Sequence, residues 1–180
     1  MFQRLLFAFL LLVALSTVPV YAVGGDDVPA WLRQAAATSA PTYRRDVPAV
    51  VLLNEQTVSV GEDGRLTNVT TYAVRILTRE GRGYATAVEH YDTANGKVRE
   101  MRAWLLRPDG TSKRYGGDAV ADVVTNLNDV YNESRMKLIN AADDAEVGTV
   151  FGYQTTSEDR SLFPQDTWNF QNRLPALVSR

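Results

Sequence analysis

The chain has 180 residues, with 19 lysines and arginines against 21 aspartates and glutamates, a formal net charge of −2, one histidine and no cysteine. Without cysteine there is no disulfide framework, no thiol nucleophile and no thiolate metal site. The densest basic stretch, Arg99, Arg102, Arg107, Lys113 and Arg114, is broken by Glu100 and Asp109, so it reads as a solvated strand face and nucleic acid is not an expected partner.

The first element is a leader. Arg4 precedes an apolar run from Leu5 to Leu15, and Val20-Tyr21-Ala22 stands just before Gly24-Gly25. The run is about half the length that spans a bilayer, and Val20 and Ala22 suit a signal peptidase, so residues 1–22 read as a secretory signal peptide cut after Ala22. No cysteine follows to accept a lipid, so no stable membrane anchor is expected after cleavage. The expected location is exported, periplasmic or secreted. Removing Arg4 from a chain of net charge −2 leaves −3, and about 158 residues are enough for one domain with its own core.

Residues 23–46 read as an N-terminal helix and connector. Val28-Pro29-Ala30-Trp31-Leu32 opens a short helix over 28–37 with acidic residues ahead of it and proline in the first turn, and Trp31, Leu32 and Ala35 share a face. Pro41 and Pro48 bracket an extended connector. From residue 47 to 180 the pattern is that of a β-sandwich domain. Strand-like segments are predicted over 50–60, 66–78, 84–91, 97–106, 111–115, 135–139, 149–156 and 168–178, rich in β-branched and aromatic residues. Turn signals separate them: Gly61-Glu62-Asp63-Gly64, Glu80-Gly81-Arg82-Gly83, Asn95-Gly96, Pro108-Asp109-Gly110, Gly116-Gly117 and residues 143–148. Tyr72, Val74 and Ile76 alternate with Thr71, Ala73 and Arg75, which predicts one buried and one wet sheet face. Residues 118–132 suit a helix or a loop plus strand; Asn126, Asn128, Asp129 and Asn132 favour the second. The expected fold class is mainly β, an antiparallel β-sandwich with a short N-terminal helix.

The run Val74-Arg75-Ile76-Leu77-Thr78-Arg79-Glu80-Gly81, then Trp104-Leu105-Leu106-Arg107-Pro108-Asp109-Gly110-Thr111, then Tyr131 through Arg135, then Glu146-Val147-Gly148-Thr149-Val150, resembles a bacterial family of uncharacterised domains. Members sit directly before a transglutaminase-like, papain-type domain in exported proteins. The resemblance covers residues 47–180 and implies a β-sandwich with a catalytic neighbour whose cysteine, histidine and aspartate lie beyond Arg180. It supplies no site residues, and it gives the apolar ending Leu174-Pro175-Ala176-Leu177-Val178 a cause, a chain truncated at a domain junction. An edge strand closing the sandwich is the other reading of that ending.

Candidate chemistry is sparse. His90 stands beside Glu89 and Asp92, but adjacent strand residues point to opposite faces, so Glu89 and His90 do not converge. Ser59, Ser112, Ser134, Ser157 and Ser161 lack a Gly-x-Ser-x-Gly elbow and have one histidine among them. Asp143, Asp144 and Glu146 form the densest acidic set and read as a solvated turn; with Asn126, Asn128 and Asp129 they lack the spacing of a calcium loop. Trp104, Tyr72 and Tyr153 read as core between the sheets. Trp168 and Phe170, with Leu174 and Leu177, are the candidate interaction surface. No catalytic residue, metal or cofactor is assigned. The leading expectation is a non-catalytic accessory domain whose partners are a downstream transglutaminase-like domain and an extended polypeptide added at a sheet edge over 174–178. The competing expectation is a carbohydrate-binding or glycan-hydrolysing sandwich that stacks exposed tryptophans on sugar.

Overall fold

Residues that alternate between apolar and polar with a period of two can bury one side of an extended chain, and here they do so in two sheets facing each other. The computed structural model describes residues 28–125, 133–160, 168–170 and 173–180. The leader with its cut at Ala22, and Asn126, Asn128, Asp129 and Ser161, lie outside the described residues. The helix is α1 (Ala30–Ala37), followed by β1 (Ala49–Val60), β2 (Leu66–Ile76), β3 (Thr86–Asp92), β4 (Gly96–Leu106), β5 (Ser112–Tyr115), β6 (Ala121–Val124), β7 (Ser134–Asn140) and β8 (Val150–Asp159). The larger sheet has the order β1-β2-β8-β4-β5 and the smaller β3-β7-β6; every neighbouring pair within them is antiparallel. The predicted mainly β, antiparallel sandwich is the observed fold.

Of residues 118–132, read as a loop plus strand, residues 118–125 are described and contain β6 with the short 3-10 turn Gly117–Ala119 ahead of it; the rest lie outside the described residues. Glu80-Gly81-Arg82-Gly83, read as a turn, lie within a 3-10 helix over Arg79–Tyr84, which also takes the Tyr84 expected to open the next strand. Gly81 makes that turn possible, because a Cβ there would lie 2.0 Å from the Pro48 carbonyl oxygen.

Two apolar clusters flank the larger sheet. Between the sheets lie Val51, Val74, Ile76, Met101, Leu105, Ile139 and Phe151, each of the larger side chains contributing about 1.5–3 kcal/mol on burial. On the outer face, α1 brings Leu32 and Ala35 onto Val50, Leu52, Ala73, Trp104 and Val150. Two expectations are corrected here. Trp104 is buried, at 5% exposure, but beneath the helix rather than between the sheets, its ring edge-on to Trp31 at 6.0 Å. The face carrying Ala73 and Arg75 is not wet at this end, because α1 covers it and Arg75 Nη2 donates to Ala36 O at 2.6 Å, capping the helix C-terminus.

Residues 168–178 are also corrected: they form no strand among the described residues. The C-terminal segment runs parallel to the β1 edge, with isolated bridges at Val51↔Ala176 and Asn54↔Ser179 in place of a continuous ladder. Pro175 has no N–H to give, and the β-bulge between Val51 and Leu53 turns the backbone of both Val51 and Asn54 outward, three residues apart.

Candidate functional site

Of the four residues expected to form an interaction surface, Leu174 and Leu177 belong to this C-terminal strap and Trp168 and Phe170 lie beside it. Val51 N–H donates to Pro175 O, Leu177 N–H to Val51 O, Asn54 N–H to Val178 O and Gln56 N–H to Arg180 O, all at 2.9 Å. The strap thereby occupies the β1 edge that a further polypeptide would need. Leu174, 6% exposed, sinks into the cluster between the sheets, and Leu177 packs against the outer cluster under α1, so the strap seals both layers at once. Trp168 Nε1 donates to Ser179 Oγ at 3.2 Å. Phe170 stands 65% exposed at the rim of a hollow of about 290 Å³, which Tyr72, Tyr84 and Leu174 also line.

The remaining candidates do not converge. His90 is exposed on one face of β3, while Glu89 on the other accepts from Thr155 Oγ1 at 3.0 Å and Ser157 Oγ at 3.1 Å. Glu89 therefore ties the small sheet to β8, a role its position beside the lone histidine did not reveal. Asp144 is bound by Lys113 Nζ and by the Tyr115 hydroxyl, each at 2.6 Å. The lysine bond comes first among the causes that hold its carboxyl below the usual range. Arg82 donates to the carbonyls of Ala142 and Asp143 at 3.0 and 2.9 Å. The acidic loop is thus a braced turn. Among the described residues no three His, Cys, Asp or Glu side chains gather as a metal site.

The aromatics divide by layer. Trp104 is covered by α1 and offers no face to a sugar, which removes the central platform of the carbohydrate reading. Tyr72 and Tyr153 stack at 5.3 Å against the inter-sheet cluster, as expected. On the small sheet, Tyr91 and Arg135 bind Asp122 at 2.7 and 2.9 Å; burial pushes that carboxyl up, but the two hydrogen bonds outweigh it and hold it below its ordinary value.

Fold and surface together define a two-sheet β module with a helix docked on its outer face and one sheet edge closed by its own C-terminal segment. Residues 62–180 match the family DUF3857, described as a domain of unknown function with solved structure, and the chain belongs to that family. Among solved structures, it is similar to that of a putative protease from Parabacteroides distasonis, with a TM-score of 0.59 and 13% identity over 73% of this chain. The similarity spans 27% of that protein and rests on the fold alone. No curated protein matches the sequence. No helix among the described residues is long and apolar enough to cross a membrane.

Proposed function

We propose that this chain is the accessory module of an exported enzyme, a non-catalytic sandwich that precedes a transglutaminase-like, papain-type domain of the same polypeptide. The catalytic cysteine, histidine and aspartate belong to that domain, since this chain has no cysteine. The strap is the observation that carries the reading. Five main-chain hydrogen bonds, buried Leu174 and half-buried Leu177 fix the path of the chain up to Arg180, so a domain attached there is held at a set position and direction. Trp168 and Phe170 lie beside that path and supply apolar contact for the neighbour, as expected for rim aromatics at an interface. The sandwich corresponds to 27% of the Parabacteroides protein, which has ample further length for a catalytic domain. The apolar leader supplies export.

Two observations test this reading. Sequencing the gene past the codon for Arg180 is expected to show a continuing frame with cysteine, histidine and aspartate in papain-like order. A stop codon there overturns the accessory role. Protein recovered from a bacterial host is expected to begin at Val23 by N-terminal sequencing, and retention of residues 1–22 overturns the export reading.

A further inference from the structure

The edge of the larger sheet opposite the strap is half open. β5 pairs with β4 only over Ala103–Leu106, while β4 begins at Gly96. Over residues 98–102 β4 has β8 on one side and, among the described residues, no strand on the other. At about 3.3 Å per residue the gap runs roughly 16 Å. The bond from Arg107 N–H to Thr111 O shows which way the backbone faces at the β5 side, and the period of two carries that direction through Leu105 and Ala103 to Met101. A β-bulge between Val98 and Glu100 shifts the phase by one residue, so Val98 turns the same way. Its carbonyl takes Lys137 Nζ at 3.1 Å from the facing sheet. Met101 presents its N–H and C=O to the gap with no strand opposite.

The gap opens on a cleft of about 540 Å³ that runs along this edge of the larger sheet, within the roughly 300–1,000 Å³ typical of ligand sites. Gly116 and Gly117 form one end, where the chain leaves β5; a Cβ at either would meet nothing within 4 Å, so the cleft is not crowded there. Arg99, Arg102, Arg114 and Lys137 line it against the single carboxylate of Glu100. Glu100 pairs with Arg102, and Glu158 reaches Arg99 at 2.7 Å from the side. Asp122, close to Lys137, is already held by Arg135 and Tyr91. In a chain of net charge −2 this is a local excess of positive charge.

We propose that this cleft binds an extended acidic polypeptide, added as a strand in line with β5 beside residues 98–102, with its carboxylates set against the arginines and Lys137. Main-chain bonds to the open edge supply affinity and the cations supply selectivity. An anionic glycan would satisfy the charge but lacks the regularly spaced N–H and C=O groups that continue a ladder along Val98 and Met101, which is why a polypeptide fits better. The inference stands apart from the accessory role, because it needs no catalytic neighbour.

The test uses the chain without residues 1–22 and a fluorescein-labelled acetyl-(Glu-Val)4-amide, read by anisotropy at about 50 and about 300 mM salt. Saturable binding is expected, weakened several-fold at the higher salt and about tenfold by Arg102→Glu, a half-exposed position, with an unchanged urea midpoint showing that the variant is folded. A peptide N-methylated at alternate residues is expected not to bind, nor a Lys-Val counterpart. Absence of saturation at millimolar peptide overturns the proposal. So does equal binding of the N-methylated peptide or of dextran sulfate, which marks a charge-only site. Tighter binding by Lys137→Ala also overturns it, since Lys137 then serves to keep strands out.

Discussion

Tyr72 shows what a single side chain carries in this sandwich. Its ring stacks on Tyr153 between the sheets, and burial first, then the nearby Tyr84, push its hydroxyl up to about 12. Tyr153 is pushed the same way, chiefly by burial. An unfolded tyrosine loses its proton near pH 10, so the folded state holds a proton that the unfolded state has released between there and about 12. The stabilising contribution is complete below pH 10 and is lost as pH rises toward the folded value. Urea midpoints compared at about pH 7 and about pH 11 are therefore expected to fall less in Tyr72→Phe than in the parent. An identical fall in both would place the alkaline loss elsewhere.

At the scale of elements, α1 depends on one absence in β8. A Cβ on Gly152 would come within 2.5 Å of Leu32 Cδ1 and 3.0 Å of the Trp31 ring, so the helix sits where a side chain would otherwise stand. Leu32 is fully buried there and Arg75 holds the helix end from β2. Gly152→Ala is expected to lift the helix, costing about 1–3 kcal/mol by overpacking. The urea midpoint should fall, and tryptophan fluorescence should move to the red as the Trp31–Trp104 contact opens. An unchanged spectrum would show that the helix shifts without undocking. The Pro108-Asp109-Gly110 turn is the opposite kind of element, complete in itself. Asp109 Oδ1 accepts the backbone N–H and hydroxyl of Thr111, and Gly110 takes φ +85°.

For the whole molecule, the two edges of the larger sheet have different fates. One is closed by the strap and the other is left half open beside a basic cleft. Deleting residues 174–180 would uncover the outward N–H groups of Val51, Asn54 and Gln56 and remove the buried Leu174. The expected result is a loss of at least about 2 kcal/mol in urea unfolding together with edge-to-edge association. Sedimentation velocity would report the association; a monomer of parental stability would show the strap to be dispensable.

Alternation along the chain and the glycine and asparagine turns determined the strands, the antiparallel class and the presence of a helix, because strand period and turn dihedrals are local properties. The helix over 28–37 and the turn at residues 108–110 were legible for that reason, and so was the divergence of Glu89 from His90. What the candidate surfaces look like was decided by tertiary structure. Whether Trp104 faced the other sheet or α1 depended on which side the helix chose, set by Gly152 more than a hundred residues away from it. The bulges at Val51 and Val98 each turn a backbone edge outward, and a one-residue register shift leaves no mark in composition. The strap on β1 and the bond from Lys137 to Val98 join residues far apart in sequence, and only folding brings those partners within hydrogen-bonding distance.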